Sequence, residues 1–116
     1  MDTTKEIAIS NLLKDLGVTP GLLGYTYLKT AIGLQMEDPT YKISIVYKLY
    51  PEVARIHGTT PSRVERAIRH AIEKGWTLGC ASVQNDLFRY TIDESRGKPT
   101  NGEFMATVSD YLQMTL

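Results

Sequence analysis

The chain is predicted to be all-α: a compact domain of six to seven helices with a helix-turn-helix at its centre. Three observations predict it. Apolar residues recur at three- and four-residue spacing along most of the 116 residues, the period of a helix with one buried face. No segment sustains the alternation of a half-buried strand. Capping threonines, glycines and prolines punctuate the periodic runs where helices would start and stop. With 42% hydrophobic residues the chain can build a real core, so residues 1–116 are expected to form a single domain.

The elements follow in order. Residues Thr3 to Glu6 have the form of a capping box, followed by Ile7, Ile9, Leu12, Leu13 and Leu16 and stopped by Gly17, so a first helix is expected at about 4–16. Pro20 and Gly21 open a second, with Leu23, Tyr27, Leu28, Ala31 and Ile32 at helical spacing, fading near Met36. Residues 37–40 read as a loop. Ile43, Val46 and Tyr47 predict a short third helix, which Tyr50-Pro51 should interrupt because a residue before proline avoids the α region. Beyond the central motif, residues 82–88 suit another short helix, and the polar, breaker-rich stretch 91–99 an exposed loop. A second capping box, Thr100 to Glu103, starts a last helix with Phe104, Val108, Tyr111 and Leu112 on one face. Trp76 and the tyrosines at 25, 27, 41, 47, 50, 90 and 111 are expected in the core or at its edge.

The central segment, 51–78, carries the functional signal. It reads as a short helix, a turn at Gly58, and a second helix that opens with arginines. This is the sequence shape of a helix-turn-helix, whose second helix enters the DNA major groove. Ala54 is small where the two helices must cross, Thr60 suits the N-cap, and Pro61 suits a first helical position that needs no amide hydrogen. The second helix is expected to run to about Leu78 and to end at Gly79. At 100° per residue, Val64, Ala67, Ile68, Ala71, Ile72 and Gly75 form one stripe. Ser62, Arg66, Arg69 and Glu73 project oppositely, with Arg63, Glu65 and His70 on the flanks. An ordinary amphipathic helix also shows a solvated charged face. Three arginines within seven residues, beside a turn of the right length, favour nucleic acid. Glu65 also suits exposed intrahelical pairs worth about 0.2–0.5 kcal/mol, which leave base contact open.

Net charge is zero, yet its distribution is uneven. Residues 48–74 are net +3, whereas 1–47 are net −1 and 75–116 net −2. Positive charge is concentrated where phosphate would be met. The lone Cys80 excludes an internal disulfide and a cysteine-rich metal site; it is expected to be a small, partly buried apolar residue. His57 is expected at a helix end near phosphate or solvent, and His70 has no nucleophile beside it. Two histidines and one cysteine lack zinc-ligand spacing, and Gly21, Gly24 and Gly33 lack the Lys-Ser/Thr of a phosphate loop. No catalytic activity, cofactor or metal is expected. With no long apolar run and no leader pattern, a soluble cytoplasmic protein without membrane partners is expected.

The run TTPSRVERAIRHAIEKGW (59–76), with VYKLYPEVARIHG (46–58) before it, resembles the DNA-binding effector domain of the stage 0 sporulation protein A family. The likeness extends to GLLGYTYLKTAI (21–32) and KPTNGEFMATVSDYL (98–112), and so covers essentially the whole chain. The resemblance implies an all-helical effector domain that binds a short DNA box, often in tandem copies, and regulates transcription in either direction. It places Arg63, Glu65 and Arg66 at positions that address the box. That agrees with the chemistry, since arginine suits guanine acceptors and a carboxylate accepts from the cytosine amino group. Ser62, Arg69 and His70 suit phosphate or flanking contacts. The family's segment after the recognition helix is associated with the sigma subunit of RNA polymerase; here it is 77–90, which departs more from the family pattern. The family's phosphoacceptor receiver domain has no counterpart in this chain. The competing expectation is a protein-interaction module, a decoy or antagonist of a full-length regulator or of RNA polymerase. RNA binding is less favoured because aromatic residues do not interleave with the basic ones.

Overall fold

The computed structural model describes residues 2–89 and 97–116. Within them the chain forms seven α-helices and one π-helix, with no strand among the described residues, as the periodicity predicts. Helix α1 (Thr3–Asp15) begins one residue earlier than expected. Asp2 is the N-cap, its carboxylate accepting from the Thr4 amide at 3.1 Å, so Thr3 becomes the first helical residue. Glu6 is then too far along to close a box, and pairs instead with Lys29 at 3.0 Å. Gly17 ends α1 with φ +87°, a left-handed conformation that glycine adopts without steric cost.

Helix α2 (Leu23–Glu37) starts two residues after Gly21, which lies in the preceding turn with Pro20. Tyr27, Leu28, Ala31 and Ile32 are buried as expected, whereas Leu23 is 66% exposed. The region expected to hold one short helix divides into α3 (Thr40–Ile43) and a π-helix, π1 (Ile45–Leu49), which runs directly into α4 (Tyr50–His57). Pro51 therefore does not interrupt the chain. Tyr50 keeps α geometry at φ −59°, ψ −42°, and the wider turn is held by the bonds from Leu49 N to Ser44 O and from Tyr50 N to Ile45 O. Pro51 falls in the first turn of α4, where its missing amide hydrogen costs nothing. Ile43, Val46 and Tyr47 face outward, Tyr47 being 90% exposed, because the buried line runs through Leu49, Tyr50, Val53 and Ala54.

Helix α5 (Pro61–Leu78) follows after Gly58, Thr59 and Thr60, and Gly79 succeeds it. Helix α6 (Ala81–Phe88) and helix α7 (Asn101–Thr115) complete the fold, and α7 opens with the expected capping box between Thr100 and Glu103. The expected loop 91–99 lies outside the described residues except for 97–99; of these Pro99 is buried rather than exposed. Tyr90 lies outside them too.

The core is mainly aliphatic, built from Ile9, Leu13, Leu28, Ile32, Leu49 and Ile68, with Phe88 and Phe104 stacked at 5.7 Å. Trp76 is only partly buried and meets Phe88 edge-on at 5.0 Å. Tyr25, Tyr27 and Tyr50 are buried, but Tyr47 and Tyr111 are exposed. Tyrosine is thus a core-edge residue here, its hydroxyl reaching a polar partner, as Tyr25 reaches Ser10 and Tyr50 reaches Asn101. Cys80 corrects another expectation. It is exposed, because the turn between α5 and α6 spends its inward contact on the bond from Cys80 N to Asp15 O and leaves the side chain outside.

Candidate nucleic-acid interface

Two locally determined features set up the presentation of α5. Gly58, at φ +66° and ψ +40°, reverses the chain after α4, and the amides of Gly58 and Thr59 both reach Ala54 O. Thr60 then caps α5, its hydroxyl accepting from the Arg63 amide at 3.3 Å. Ala54 is buried at this crossing, where a larger side chain would force the helices apart. Val64, Ile68, Ala71, Ile72 and Gly75 are buried along one stripe, with Ala67 at its margin, as the helical period predicts.

The opposite face is open. Ser62, Arg63, Arg66, Arg69 and His70 are exposed, and Glu65 is half-buried. Arg66 lies near the centre of this face. Its two flanks differ. On the side of α2, a groove of about 480 Å³ is bounded by Leu23, Thr59, Arg63, Arg66 and His70. On the side of α7, a groove of about 490 Å³ holds paired charges: Glu65 with Arg69 at 2.8 Å, and Glu73 with Lys98 at 3.0 Å. The Lys98 hydrogen bond holds the Glu73 carboxyl below its ordinary range. The structure therefore brings all six expected residues onto one helix face, but commits Glu65 and Arg69 to each other in the free protein.

Tertiary contacts clamp α5 along its length. Near its N-terminal end, Asn101 donates to the Glu65 carbonyl and to the Tyr50 hydroxyl, both at 3.1 Å. Burial pushes the Tyr50 phenol up, against the opposing pull of the Asn101 bond. In the middle, Gly24 of α2 lies so close that a Cβ there would sit 2.3 Å from Ala67 O. At the far end, Gly17 packs against Gly75, and the Gln84 amide donates to Trp76 O at 3.3 Å. The residue order assigns Asn101, Lys98, Gly24 and Gln84 no part in holding α5, because none carries a local signal for it. Only the fold brings them to α5.

His57 belongs to the scaffold and not to the open face. Its Nε2 lies 2.7 Å from Thr30 Oγ1 and its ring lies 5.3 Å from that of Tyr27, because α4 packs on α2 at its C-terminal end. Among the described residues no three His, Cys, Asp or Glu side chains come together as metal ligands, and no helix is long and apolar enough to cross a membrane.

An exposed cationic helix clamped on a helical scaffold is shared by many nucleic-acid readers, and the comparison with known families narrows it. The model of the family described as "Sporulation initiation factor Spo0A C terminal" matches residues 9–112 of the 116. The match takes in α5, both of its flanking grooves and every residue of the clamp, so this chain belongs to that family, a family of DNA-binding effector domains of a sporulation regulator.

Proposed function

We propose that residues 1–116 act as one sequence-specific, double-stranded-DNA-binding effector domain that regulates transcription, with α4 and α5 as its helix-turn-helix and α5 in the major groove. The observation that carries this reading is the open face of α5, where Arg63 and Arg66 project from a helix held rigid on its other side. In the proposed complex Arg63 and Arg66 address guanine acceptors and Glu65 a cytosine amino group. Ser62, Arg69 and His70 hold phosphate and set the register. Glu65 must exchange Arg69 for a base, which the exposed position of that pair makes inexpensive.

The test is selection of bound duplexes from a random library, followed by affinities for the selected box and a scrambled sequence at fixed salt. Discrimination of about 10³ or more is expected. Arg63→Ala and Glu65→Ala should relax base preference, whereas Arg69→Ala should weaken binding to all sequences. Equal affinity for box and scramble overturns the reading. Undetectable DNA binding with co-purification of RNA polymerase or of a full-length regulator would replace it with the interaction module. Tandem boxes among the selected duplexes would support self-association on DNA. The segment 77–90 is proposed as the surface for the sigma subunit; in its described part Leu78, Ser82, Asn85 and Asp86 are exposed.

A further inference from the structure

The two flanks of α5 are electrostatically unlike. Toward α7 its charges are neutralised in pairs, Glu65 with Arg69 and Glu73 with Lys98. Toward α2, Arg63 and Arg66 make no ion pair among the described residues, and with His70 they share a groove with Leu23. The floor of that groove is the close approach of Gly24 to Ala67, so it is shallow and rigid. Leu23 stands on its other wall, 66% exposed, on the first turn of α2. A large apolar side chain is thus left in water beside two arginines that no carboxylate pairs among the described residues.

We propose that the α2–α5 groove seats one sugar-phosphate strand of the bound duplex, and that Leu23 is a DNA-contacting residue on its α2 wall. The occupant follows from charge complementarity. The positive field of Arg63 and Arg66 draws the strand in, His70 reaches a phosphate oxygen from one side, and Leu23 packs on a deoxyribose face from the other and shields that contact from water. The α7 flank faces away from that strand, and Arg69 there meets phosphate only once Glu65 releases it. This inference rests on the DNA-binding reading, and adds to it α2 as a second contacting element and a direction for the strand.

A charge scan at two exposed apolar positions tests it. Leu23→Lys and Leu23→Glu probe the α2 flank. Val46→Lys and Val46→Glu probe the α7 flank, where Val46 is 62% exposed beside Arg69. Thermal melts confirm that each variant folds; Leu23→Gln, uncharged, serves where a charged variant does not. Affinities for the selected box and a scramble are measured between 50 mM and 200 mM salt. Leu23→Lys is expected to bind both duplexes about eightfold tighter near 0.1 M salt and to steepen the log–log salt slope by about 0.9, the release of one further counterion. Leu23→Glu is expected to weaken both by a similar factor, and Leu23→Gln to weaken both by about two- to threefold through lost apolar contact. The Val46 variants should shift affinity clearly less than the Leu23 ones. Specific box binding by wild type with unaltered Leu23 variants, or with equal effects at Leu23 and Val46, overturns the seat and leaves the DNA reading standing. A wild-type protein that binds no duplex overturns both.

Discussion

Replacing Gly24 by alanine should reverse the usual sign of a glycine-to-alanine change in a helix. In an exposed helix the substitution stabilises by about 0.8–1 kcal/mol, since alanine loses less backbone entropy on folding. At Gly24 the new Cβ would lie 2.3 Å from the Ala67 carbonyl oxygen and 2.6 Å from the Ala71 Cβ. The first is backbone of α5 and the second is fixed directly to it, so neither can swing aside. Ordinary contact needs about 3.5 Å, so α2 and α5 must part by about 1 Å. Overpacking of this kind costs about 1–3 kcal/mol. Even after the gain in helix propensity, Gly24→Ala should be destabilised by up to about 2 kcal/mol. Gly21→Ala is the matched control: nothing lies within 4 Å of its Cβ position and its φ is not positive. It should be neutral or stabilised by up to about 1 kcal/mol. Urea unfolding of both variants gives the two differences directly. If Gly24→Ala proves as stable as Gly21→Ala, the close approach of α2 to α5 is wrong, and with it the rigid floor of the groove.

Three further outcomes follow from named contacts. Thr60→Ala removes the oxygen that accepts the Arg63 amide and should cost about 1 kcal/mol in denaturant unfolding, whereas Thr60→Asn should retain most of the stability. Cys80 is exposed, and hydrogen bonds from the Ser82 hydroxyl and the amides of Val83 and Ser82 lower its thiol pKa. The native protein should therefore react with one equivalent of a thiol reagent at neutral pH, faster than free cysteine; labelling only on unfolding would restore the buried assignment. Acid stability tests the third. Asp38 is lowered from 3.8 to about 2, first by the Thr40 hydroxyl, then by the Thr40 amide and Lys48. Glu52 and Glu73 are lowered by Arg55 and Lys98. Depressed carboxylates contribute stability above their unfolded pKa values and lose it as pH falls through the folded ones. Melting temperature should thus decline from about pH 4.5 toward pH 2, and less steeply in Asp38→Asn.

The sequence by itself determined what depends on a single helix and its neighbours in the chain. The period of Val64, Ile68, Ala71 and Ile72, the cap at Thr60 and the stop at Gly79 place α5 and its arginine face without any tertiary knowledge. Periodicity also locates most of the buried stripes, because a helix face is set by local geometry. It misplaced residues wherever a long-range contact outvoted the local pattern. The apolar residues Ile43, Val46 and Tyr47 lie outside because π1 shifts the buried line to Leu49 and Tyr50. Pro51 failed to break the chain because the same wider turn accommodates it. Thr3 lost the cap to Asp2, one residue away, whose carboxylate accepts from the Thr4 amide.

The environment of α5 was set by packing between helices far apart in the chain. Opposite charges on α5 could pair with each other, with DNA or with a distant lysine, and nothing in the residue order chooses among these. The fold chooses by bringing Lys98 to Glu73 and Asn101 to the Glu65 carbonyl, and by leaving Arg63 and Arg66 facing a groove without an ion pair among the described residues. It also puts Leu23 beside them, forty residues earlier than Arg63 in the chain. Helical period is a property of successive residues, whereas the asymmetry of the two flanks is a property of which helices pack on either side. The first can be read along one dimension; the second exists only in three.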